Sequence, residues 1–225
     1  MVRANTVSRK VMLAVAAVGG LLTASSARAQ LTPLPPGGPD ITTPGAGGIV
    51  LSADTPVAPP LTLPFIGTNA LSQVVFTGTL TSQVFSDPLT GGLDFTYQVT
   101  NTGGPDSMHT ISLTSYSGYP TNIDYVTGSG QVTYDFVNRI APLAGFSINA
   151  DYSQPTSAIA PGLTTDIIIV QTPATSFDTN GITNVIDGGT ARVESYEPAP
   201  IPEPASLSLL AVGAGALIGR RRRVA

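Results

Sequence analysis

The chain has 225 residues, contains no cysteine, and carries ten lysine and arginine residues against fourteen aspartate and glutamate residues. The lack of cysteine excludes disulfide bonds, cysteine nucleophiles and cysteine-ligated zinc sites within this chain. Outside residues 1–29 and 220–225 the chain has only two basic residues, Arg139 and Arg192, too few for the lysine and arginine clusters that neutralise nucleic-acid phosphates, so we expect no nucleic-acid partner.

The N-terminal segment has the three parts of a secretory signal peptide. Its first ten residues include three basic residues, Val11 to Leu22 is apolar, and the small residues Ala27 and Ala29 follow. This order is what signal peptidase recognises. The sequence therefore predicts a signal peptide over residues 1–29, Sec-dependent export, and a mature chain that begins at Gln30.

Proline, glycine and threonine dominate residues 30–64. Prolines remove backbone hydrogen-bond donors and glycines raise the entropic cost of ordering the chain, so such a stretch does not favour a packed core. We predict a mostly extended leader over these residues.

Residues 65–196 carry the pattern of short strands separated by turns. Leu93 to Thr100 alternates apolar and polar residues without interruption, which predicts a strand with one buried face. The run Ile167 to Val170 suits a strand buried on both faces. Weaker alternations and turn signals fill the rest of this region: Val132 to Phe136, Phe146 to Tyr152, Gly91-Gly92, Asn101 to Asp106, Gly128 to Gly130, Asn180-Gly181 and Asp187 to Gly189.

Short strands with turns every few residues, and no useful helical period, predict an all-β protein. We expect a single antiparallel β-sandwich or jelly-roll-like domain over residues 65–196. We interpret Thr79-Leu80-Thr81 as an isolated pair, so the sequence predicts no threonine ladder and no flat ice-binding face.

The C-terminal segment has the layout of a linker, a membrane helix and a basic end. Residues 197–204 have a proline at every other position from Pro198, which favours a stiff, extended linker. The apolar residues 205–219 predict a transmembrane helix of about 22 Å, which is short for a bilayer. The arginines in residues 220–225 belong on the cytoplasmic side by the positive-inside rule, so the domain is expected outside.

This tail resembles the PEP-CTERM sorting signal of exported bacterial proteins. The resemblance covers about residues 201–223 and rests on the triplet Pro202, Glu203 and Pro204, the apolar run, and the basic cluster Arg220, Arg221, Arg222 and Arg223. It implies that a membrane-embedded exosortase recognises the triplet, removes the helix and passes the protein to the surface. A simple permanent C-terminal anchor is the alternative.

The terminal segments hold eight of the ten basic residues. Only Arg139 and Arg192 lie between Gln30 and Gly219, together with all fourteen acidic residues, so the formal charge there is 2 minus 14, or −12. Such a surface favours solubility and attracts cations. The same surface is equally compatible with a solvated face that binds nothing.

Candidates for catalysis are few. His109 is the single histidine of the chain, and we find no Gly-x-Ser-x-Gly motif around a serine nucleophile. A glycoside hydrolase needs two facing carboxyl groups, which the fold would have to assemble. The candidate carboxyl groups belong to Asp94, Asp124, Asp135, Asp151 and Asp166. The sequence pairs none of them, so we expect no enzyme.

Calcium is the only cofactor that the sequence suggests. Asp178 to Gly181 and Asp87 to Asp94 place oxygen ligands in predicted loops. Neither segment has the spacing of an EF-hand loop. Local turns stabilised by aspartate side chains explain both segments without a metal.

Glycan binding is the main alternative to a purely structural role. Tyr116 and Tyr119 flank a turn, where exposed rings stack on sugar faces in carbohydrate-binding modules. Capping of the core is the competing role for both residues. We therefore expect an exported cell-surface or extracellular-matrix protein with a structural or adhesive β domain. The alternatives are a binding module for exopolysaccharide and a glycoside hydrolase.

Overall fold

The computed structural model describes residues 32–42, 54–128, 130–140 and 146–199. These residues form an all-β structure that contains no helix. The strands are β1 (Thr32–Pro33), β2 (Thr55–Pro56), β3 (Leu61–Thr68), β4 (Val74–Ser86), β5 (Leu93–Gly103), β6 (Thr110–Leu113), β7 (Asn122–Val126), β8 (Gln131–Val132), β9 (Phe136–Arg139), β10 (Ile148–Asp151), β11 (Thr164–Thr165), β12 (Ile167–Thr172), β13 (Phe177–Asp187) and β14 (Gly189–Pro198).

The strands form one curled, antiparallel sheet. Its order is β1-β7-β12-β5-β4-β3-β14-β13-β6-β10-β9, and β2 is added beside β4. Strand β11 pairs with β5 and with β8, and the β11–β8 pair is parallel. The prediction of an all-β, antiparallel fold is therefore confirmed for the described residues.

The long central strands follow from alternating side chains. The predicted strand Leu93 to Thr100 is β5, which extends to Gly103. Its partner β4 places Phe76, Leu80 and Val84 on the interior side of the sheet, all buried. The predicted strand Ile167 to Val170 is β12, and it is buried on both faces as expected. Strand β5 differs from its prediction, because Asp94 and Thr96 on its other face are buried as well.

One continuous hydrophobic core fills the interior of the curled sheet. It draws side chains from nearly every long strand, including Phe95 and Tyr97 of β5, Ile111 and Leu113 of β6, Ile123 of β7, Val137 of β9, Ile148 of β10, Ile168 and Val170 of β12, Val185 of β13 and Val193 of β14. Burial of this apolar surface is the main favourable contribution to folding. The sheet curls because strands distant in sequence share this core.

Two glycines allow aromatic rings to lie directly on the sheet between β3 and β4. Phe65 pairs with Gly78, and Gly67 pairs with Phe76. A Cβ atom at Gly67 would lie 2.2 Å from the Phe76 ring, and one at Gly78 would lie 2.4 Å from the Phe65 ring. The two rings meet edge to face with centroids 6.3 Å apart. A larger residue at either glycine would displace an aromatic side chain of the core.

The described part of the leader lies against the sheet. Strand β1 pairs with β7 at one end of the strand order, and Ile41 forms a bridge with Val137 of β9 at the other end. Leu34 between them is buried. Residues 32–42 therefore connect the two ends of the curled sheet. They turn at Pro36 and Gly37 and belong to the packed structure, because proline at an edge strand needs no backbone donor.

Several predicted boundaries differ from the structure. The sheet includes β3 from Leu61 and β14 to Pro198, so the folded region exceeds residues 65–196 at both ends. Asn180-Gly181 lies within β13 at an irregularity in the pairing with β14, and the predicted turn there is wrong. The bulge absorbs the extra residue without ending the strand. The turn at Asp187 to Gly189 is confirmed: Gly188 has a φ of 55°, which favours glycine in the β13–β14 hairpin.

Candidate functional site

The predicted processing residues lie outside the described part of the structure. They are Ala27 and Ala29 at the signal peptidase site, and Pro202, Glu203, Pro204, Arg220, Arg221, Arg222 and Arg223 in the sorting signal. Among the residues that the structure describes, none forms a helix with the length and apolar character needed to cross a membrane.

Tyr116 is an interior residue. Its side chain has no exposed surface, and its ring packs edge to face against Phe95 with centroids 6.1 Å apart. A ring that is enclosed in this way offers no face to a sugar. The structure therefore corrects the predicted stacking role of Tyr116, and the competing role of a core residue explains its position.

The Tyr116 hydroxyl belongs to a buried hydrogen-bond chain. The Tyr97 hydroxyl donates to the Tyr196 carbonyl oxygen at 2.6 Å, and the hydroxyls of Tyr97 and Tyr116 lie 2.6 Å apart. A phenol has one proton, so Tyr116 must be the donor to Tyr97. Burial raises the pKa of both phenols, which keeps both protonated at neutral pH. The chain connects β5, the segment after β6, and β14.

This arrangement predicts unequal effects for two matched substitutions. Tyr97→Phe removes the middle of the chain and leaves the Tyr196 carbonyl and the Tyr116 hydroxyl without their partner, so we expect a loss of about 2–3 kcal/mol in the free energy of unfolding. Tyr116→Phe removes only the terminal donor, and we expect a loss of about 1 kcal/mol. Urea denaturation followed by circular dichroism measures both. Equal losses would contradict this hydrogen-bond order.

Tyr119, the other predicted glycan residue, is partly buried. Its hydroxyl donates to the Ala199 carbonyl oxygen at 2.7 Å, so it fixes the backbone just after β14. Tyr119 also lines an open cleft of about 410 Å³ together with Pro33, Pro36 and Arg139. A sugar-stacking role for Tyr119 stays a prediction.

Arg139 lies beside this cleft with only 2% of its surface exposed. Its guanidinium donates to the carbonyl oxygens of Tyr116 and Tyr119 and to the Thr121 hydroxyl, the last two at 2.8 and 3.0 Å. Its own carbonyl accepts from Gly37 at 2.8 Å. Arg139 thus fixes the segment before β7 and the leader to the end of β9. Burial lowers the pKa of the guanidinium, and the carbonyl dipoles around it compensate for part of its lost hydration.

Beside the β4–β5 turn, Asp94 lies near the carboxyl groups of Asp54 and Asp87. Asp94 of β5 is fully buried, and the neighbouring Asp54 and Asp87 are buried too. Burial, followed by the charges of Asp54 and Asp87, raises the pKa of Asp94 to about 7, against a weaker opposing effect of Gln171. These groups repel one another as anions inside the protein.

Asp87 has a structural explanation of its own. Its carboxylate accepts from the Leu89 backbone amide and the Thr90 hydroxyl, each at 2.8 Å, and from the Gln171 amide at 2.9 Å. These bonds form the aspartate-stabilised turn that was the alternative to calcium. Within the described ranges, no three histidine or acidic side chains gather closely enough to hold a metal ion.

The second predicted calcium segment, Asp178 to Gly181, is part of β13. Asp178 accepts from the Asn180 backbone amide at 2.9 Å and lies directly opposite Glu197 of β14. Burial, and the nearby Asp178 carboxylate, raise the pKa of Glu197, while a hydrogen bond from Ser115 opposes this effect. The geometry is that of two cross-strand carboxyl groups at the rim of the sheet.

The remaining candidate carboxylates serve local structure. Asp135 accepts from the Gln154 amide and the Ser157 hydroxyl, at 2.8 and 2.7 Å, and Asp151 accepts from the Ser153 amide at 3.0 Å. Asp166 accepts from the hydroxyls of Thr127 and Thr133, and Asp124 is buried in β7. Of the five candidate aspartates, Asp94 is the one whose carboxyl group lies near other carboxyl groups, and it is buried in the interior, where a sugar has no access.

His109 contacts Asp187 through Nδ1 at 3.0 Å, and both side chains are partly exposed. The backbone amide of His109 also donates to the Ile186 carbonyl oxygen. This contact ties the loop before β6 to the β13–β14 hairpin. Sequence reasoning identified His109 as the only histidine but had no signal for its partner, which lies 78 positions further along the chain.

Comparison of the chain with protein-family models, with curated proteins and with solved structures found no match. Any assignment of function therefore rests on the residues themselves.

Proposed function

We propose that the protein is an exported cell-surface or extracellular-matrix component that a PEP-CTERM signal sorts, with a structural or adhesive β domain. The observation that carries this proposal is the order of features at the C-terminus: the triplet Pro202 to Pro204, the apolar residues 205–219 and the four arginines that follow. Exosortase, signal peptidase and the Sec pathway are the proposed processing partners. The location is first the cytoplasmic membrane, with the domain outside, and then the surface or the matrix.

The position where the folded region ends supports this proposal. Strand β14 ends at Pro198, and the next carbonyl, that of Ala199, is bound by Tyr119. In the sequence, the triplet begins four residues after the end of β14. A cleavage at the triplet would remove only residues outside the described structure and would leave the sheet and its core complete. We interpret the curled sheet as a jelly-roll-like sandwich, in which β5 and β14 approach each other through Tyr97.

The charge distribution gives independent support. Removal of both terminal segments takes away eight of ten basic residues and leaves a formal charge of −12 between Gln30 and Gly219. An acidic, lysine-poor domain is well solvated and stays dispersed outside the cell. Both terminal segments are basic, and positive charge favours contact with the anionic cytoplasmic surface of the membrane during sorting.

The intact mass and the C-terminal peptide of the protein from its native cells test the proposal. We expect a C-terminus between Pro202 and Pro204 in both envelope and medium fractions, without Arg220 to Arg223. Replacement of Glu203 by glutamine should retain the tail, because the recognised triplet is altered. Pro200→Ala is the matched control in the same linker and should be processed normally. A C-terminus at Ala225 in all fractions would mean a permanent anchor and would contradict sorting by exosortase.

A further inference from the structure

Strands β3, β4, β5 and β11 present a surface that is rich in threonine. We call it the threonine face and define it by Thr62, Thr77, Thr79, Thr81, Thr100, Thr102 and Thr164. Cross-strand register places these residues on one side: Thr62 is opposite Thr81, Thr79 is opposite Thr100, and Thr100 is opposite Thr164. The expectation that Thr79-Leu80-Thr81 stands alone is therefore wrong, because neighbouring strands complete the array.

The threonine face lies opposite the hydrophobic core. On β4, the buried Phe76 and Leu80 alternate with the half-exposed Thr77, Thr79 and Thr81. Along a strand, residues of one face repeat about every 6.8 Å, and neighbouring strands lie about 4.8 Å apart. The hydroxyl groups therefore form a grid in two directions. Such a grid fits an extended partner that presents polar groups at regular intervals, in preference to a single small molecule.

Hydrogen bonds within the face orient its hydroxyl groups. The Oγ1 atoms lie 3.0 Å apart in the pair Thr62 and Thr81, 3.1 Å in Thr77 and Thr102, and 2.9 Å in Thr100 and Thr164. These contacts restrict side-chain rotation before any partner binds. Since the entropy cost of ordering a side chain opposes association, a preordered surface binds more tightly.

The proton count shows what each pair can offer to a partner. Thr77 donates to the Gly103 carbonyl oxygen at 3.2 Å, so Thr102 supplies the proton between the two, and this pair has only acceptor capacity left. In each of the other two pairs, one proton lies between the two oxygens. Each of these pairs therefore retains one O–H donor as well as acceptors. The face can both donate to and accept from a hydroxyl-rich partner.

The threonine face carries no charge, although the chain between Gln30 and Gly219 is strongly acidic. Its neighbours on the same side include Pro64, Ile66 and Gln98, which are uncharged as well. A polyanion would be repelled by the surrounding acidic surface. A neutral partner avoids this repulsion, and threonine methyl groups offer apolar contact to the C–H groups of a sugar ring.

We propose that the threonine face binds a neutral, hydroxyl-rich polysaccharide that lies across β3, β4, β5 and β11. This inference goes beyond the proposed sorting function and does not depend on it. It also differs from ring stacking by tyrosine, because hydroxyl groups and methyl groups on the side of the sheet opposite the core make the contacts.

The test uses the purified full-length protein in detergent and four insoluble probes: cellulose, chitin and mannan as neutral polysaccharides, and calcium alginate as an acidic one. We expect retention on at least one neutral probe. Thr81→Val with Thr100→Val removes one acceptor oxygen from each donor-bearing pair and the hydrogen bond that orders the remaining hydroxyl, and it keeps the side-chain shape. The loss of about two hydrogen bonds should weaken binding about ten-fold or more. Thr175→Val with Thr179→Val, at exposed positions elsewhere, is the matched control and should bind normally.

Unfolding temperatures show whether the variants remain folded, and Thr81→Ser with Thr100→Ser, which keeps both hydroxyls, should restore binding. The proposal would be overturned if no neutral probe retained the protein, or if the Thr81→Val, Thr100→Val variant were retained as well as the natural protein. Stronger retention on alginate than on the neutral probes would also overturn it. The same holds if the threonine substitutions changed only the pairing of two copies of the chain or the shape of ice crystals.

Discussion

Replacement of Arg139 by alanine is expected to destabilise the protein by about 3 kcal/mol or more, because two buried acceptors and one partly buried acceptor would lose their donor at once. The acceptors are the carbonyl oxygens of Tyr116 and Tyr119 and the Thr121 hydroxyl. They lie just before β7, whereas Arg139 ends β9 at the other end of the strand order. A loss of this size is a large part of the total stability of a single domain, which is about 5–15 kcal/mol.

Equilibrium denaturation in urea measures this effect, with tyrosine fluorescence and circular dichroism as probes. Arg192 gives a matched control, since it is the one other basic residue between Gln30 and Gly219 and its side chain is exposed on β14. Arg192→Ala should change stability by no more than about 0.5 kcal/mol. Arg139→Lys should be intermediate, because lysine keeps the charge but lacks the planar fork of donors. Equal effects at the two arginines would show that Arg139 does not hold the sheet ends together.

The stability of the protein is expected to fall as the pH rises from about 5 to about 8, by about 2–3 kcal/mol from Asp94 alone. The pKa of Asp94 is raised from 3.8 to about 7 in the folded protein. Between these two values the folded state binds a proton that the unfolded state has released, so folding is favoured at the acidic end of the window. As the pH passes the folded-state pKa, Asp94 becomes an anion beside Asp54 and Asp87, and this contribution is lost.

Asp94→Asn tests the origin of this slope. Asparagine has nearly the same shape and no charge, so the variant should be more stable than the natural protein at about pH 8 and should show a flatter pH profile. Asp40→Asn replaces an exposed carboxylate and should leave the profile unchanged. Urea midpoints across the pH range measure both variants. Parallel profiles for the natural protein and Asp94→Asn would assign the pH dependence to other groups.

The two proposals are independent in their tests. Retention of Arg220 to Arg223 in native cells would contradict sorting by exosortase, but it would not contradict polysaccharide binding by the threonine face. A failure to bind polysaccharide would not contradict the sorting proposal. The Arg139 and Asp94 experiments concern the fold alone and would hold under either outcome.

Local sequence patterns were sufficient to predict the strands whose apolar and polar side chains alternate without interruption. Leu93 to Thr100 and Ile167 to Val170 became β5 and β12, and the all-β class follows from such segments and their glycine turns. Period-2 alternation is encoded within each strand and needs no distant partner. One prediction from local sequence was wrong for the same reason. Asn180-Gly181 has the composition of a turn, but it lies within β13 and forms a bulge in the pairing with β14.

The candidate sites could not be predicted from local sequence patterns, because they depend on contacts between residues that are far apart in the chain. Tyr116 looked like an exposed aromatic residue beside a turn, but the interior of the sheet encloses it, with its hydroxyl on Tyr97. The sequence spaced the threonines of β4 two residues apart, yet only pairing with β3, β5 and β11 made them a face. Asp54 and Asp94 are 40 positions apart in the sequence, and they lie close together because β2, which directly follows Asp54, pairs with β4.

By itself, the sequence determined the all-β class, the acidic character between Gln30 and Gly219, and the terminal patterns on which the sorting proposal rests. These properties follow from composition and from short-range periodicity, which do not require knowledge of distant contacts. The tertiary structure alone decided that residues 32–42 join the two ends of the sheet, that Arg139 and Asp94 are buried, and that seven threonines share one surface. Strand order and register bring distant residues together, because burial of one shared core selects the pairing of strands that lie far apart in the chain.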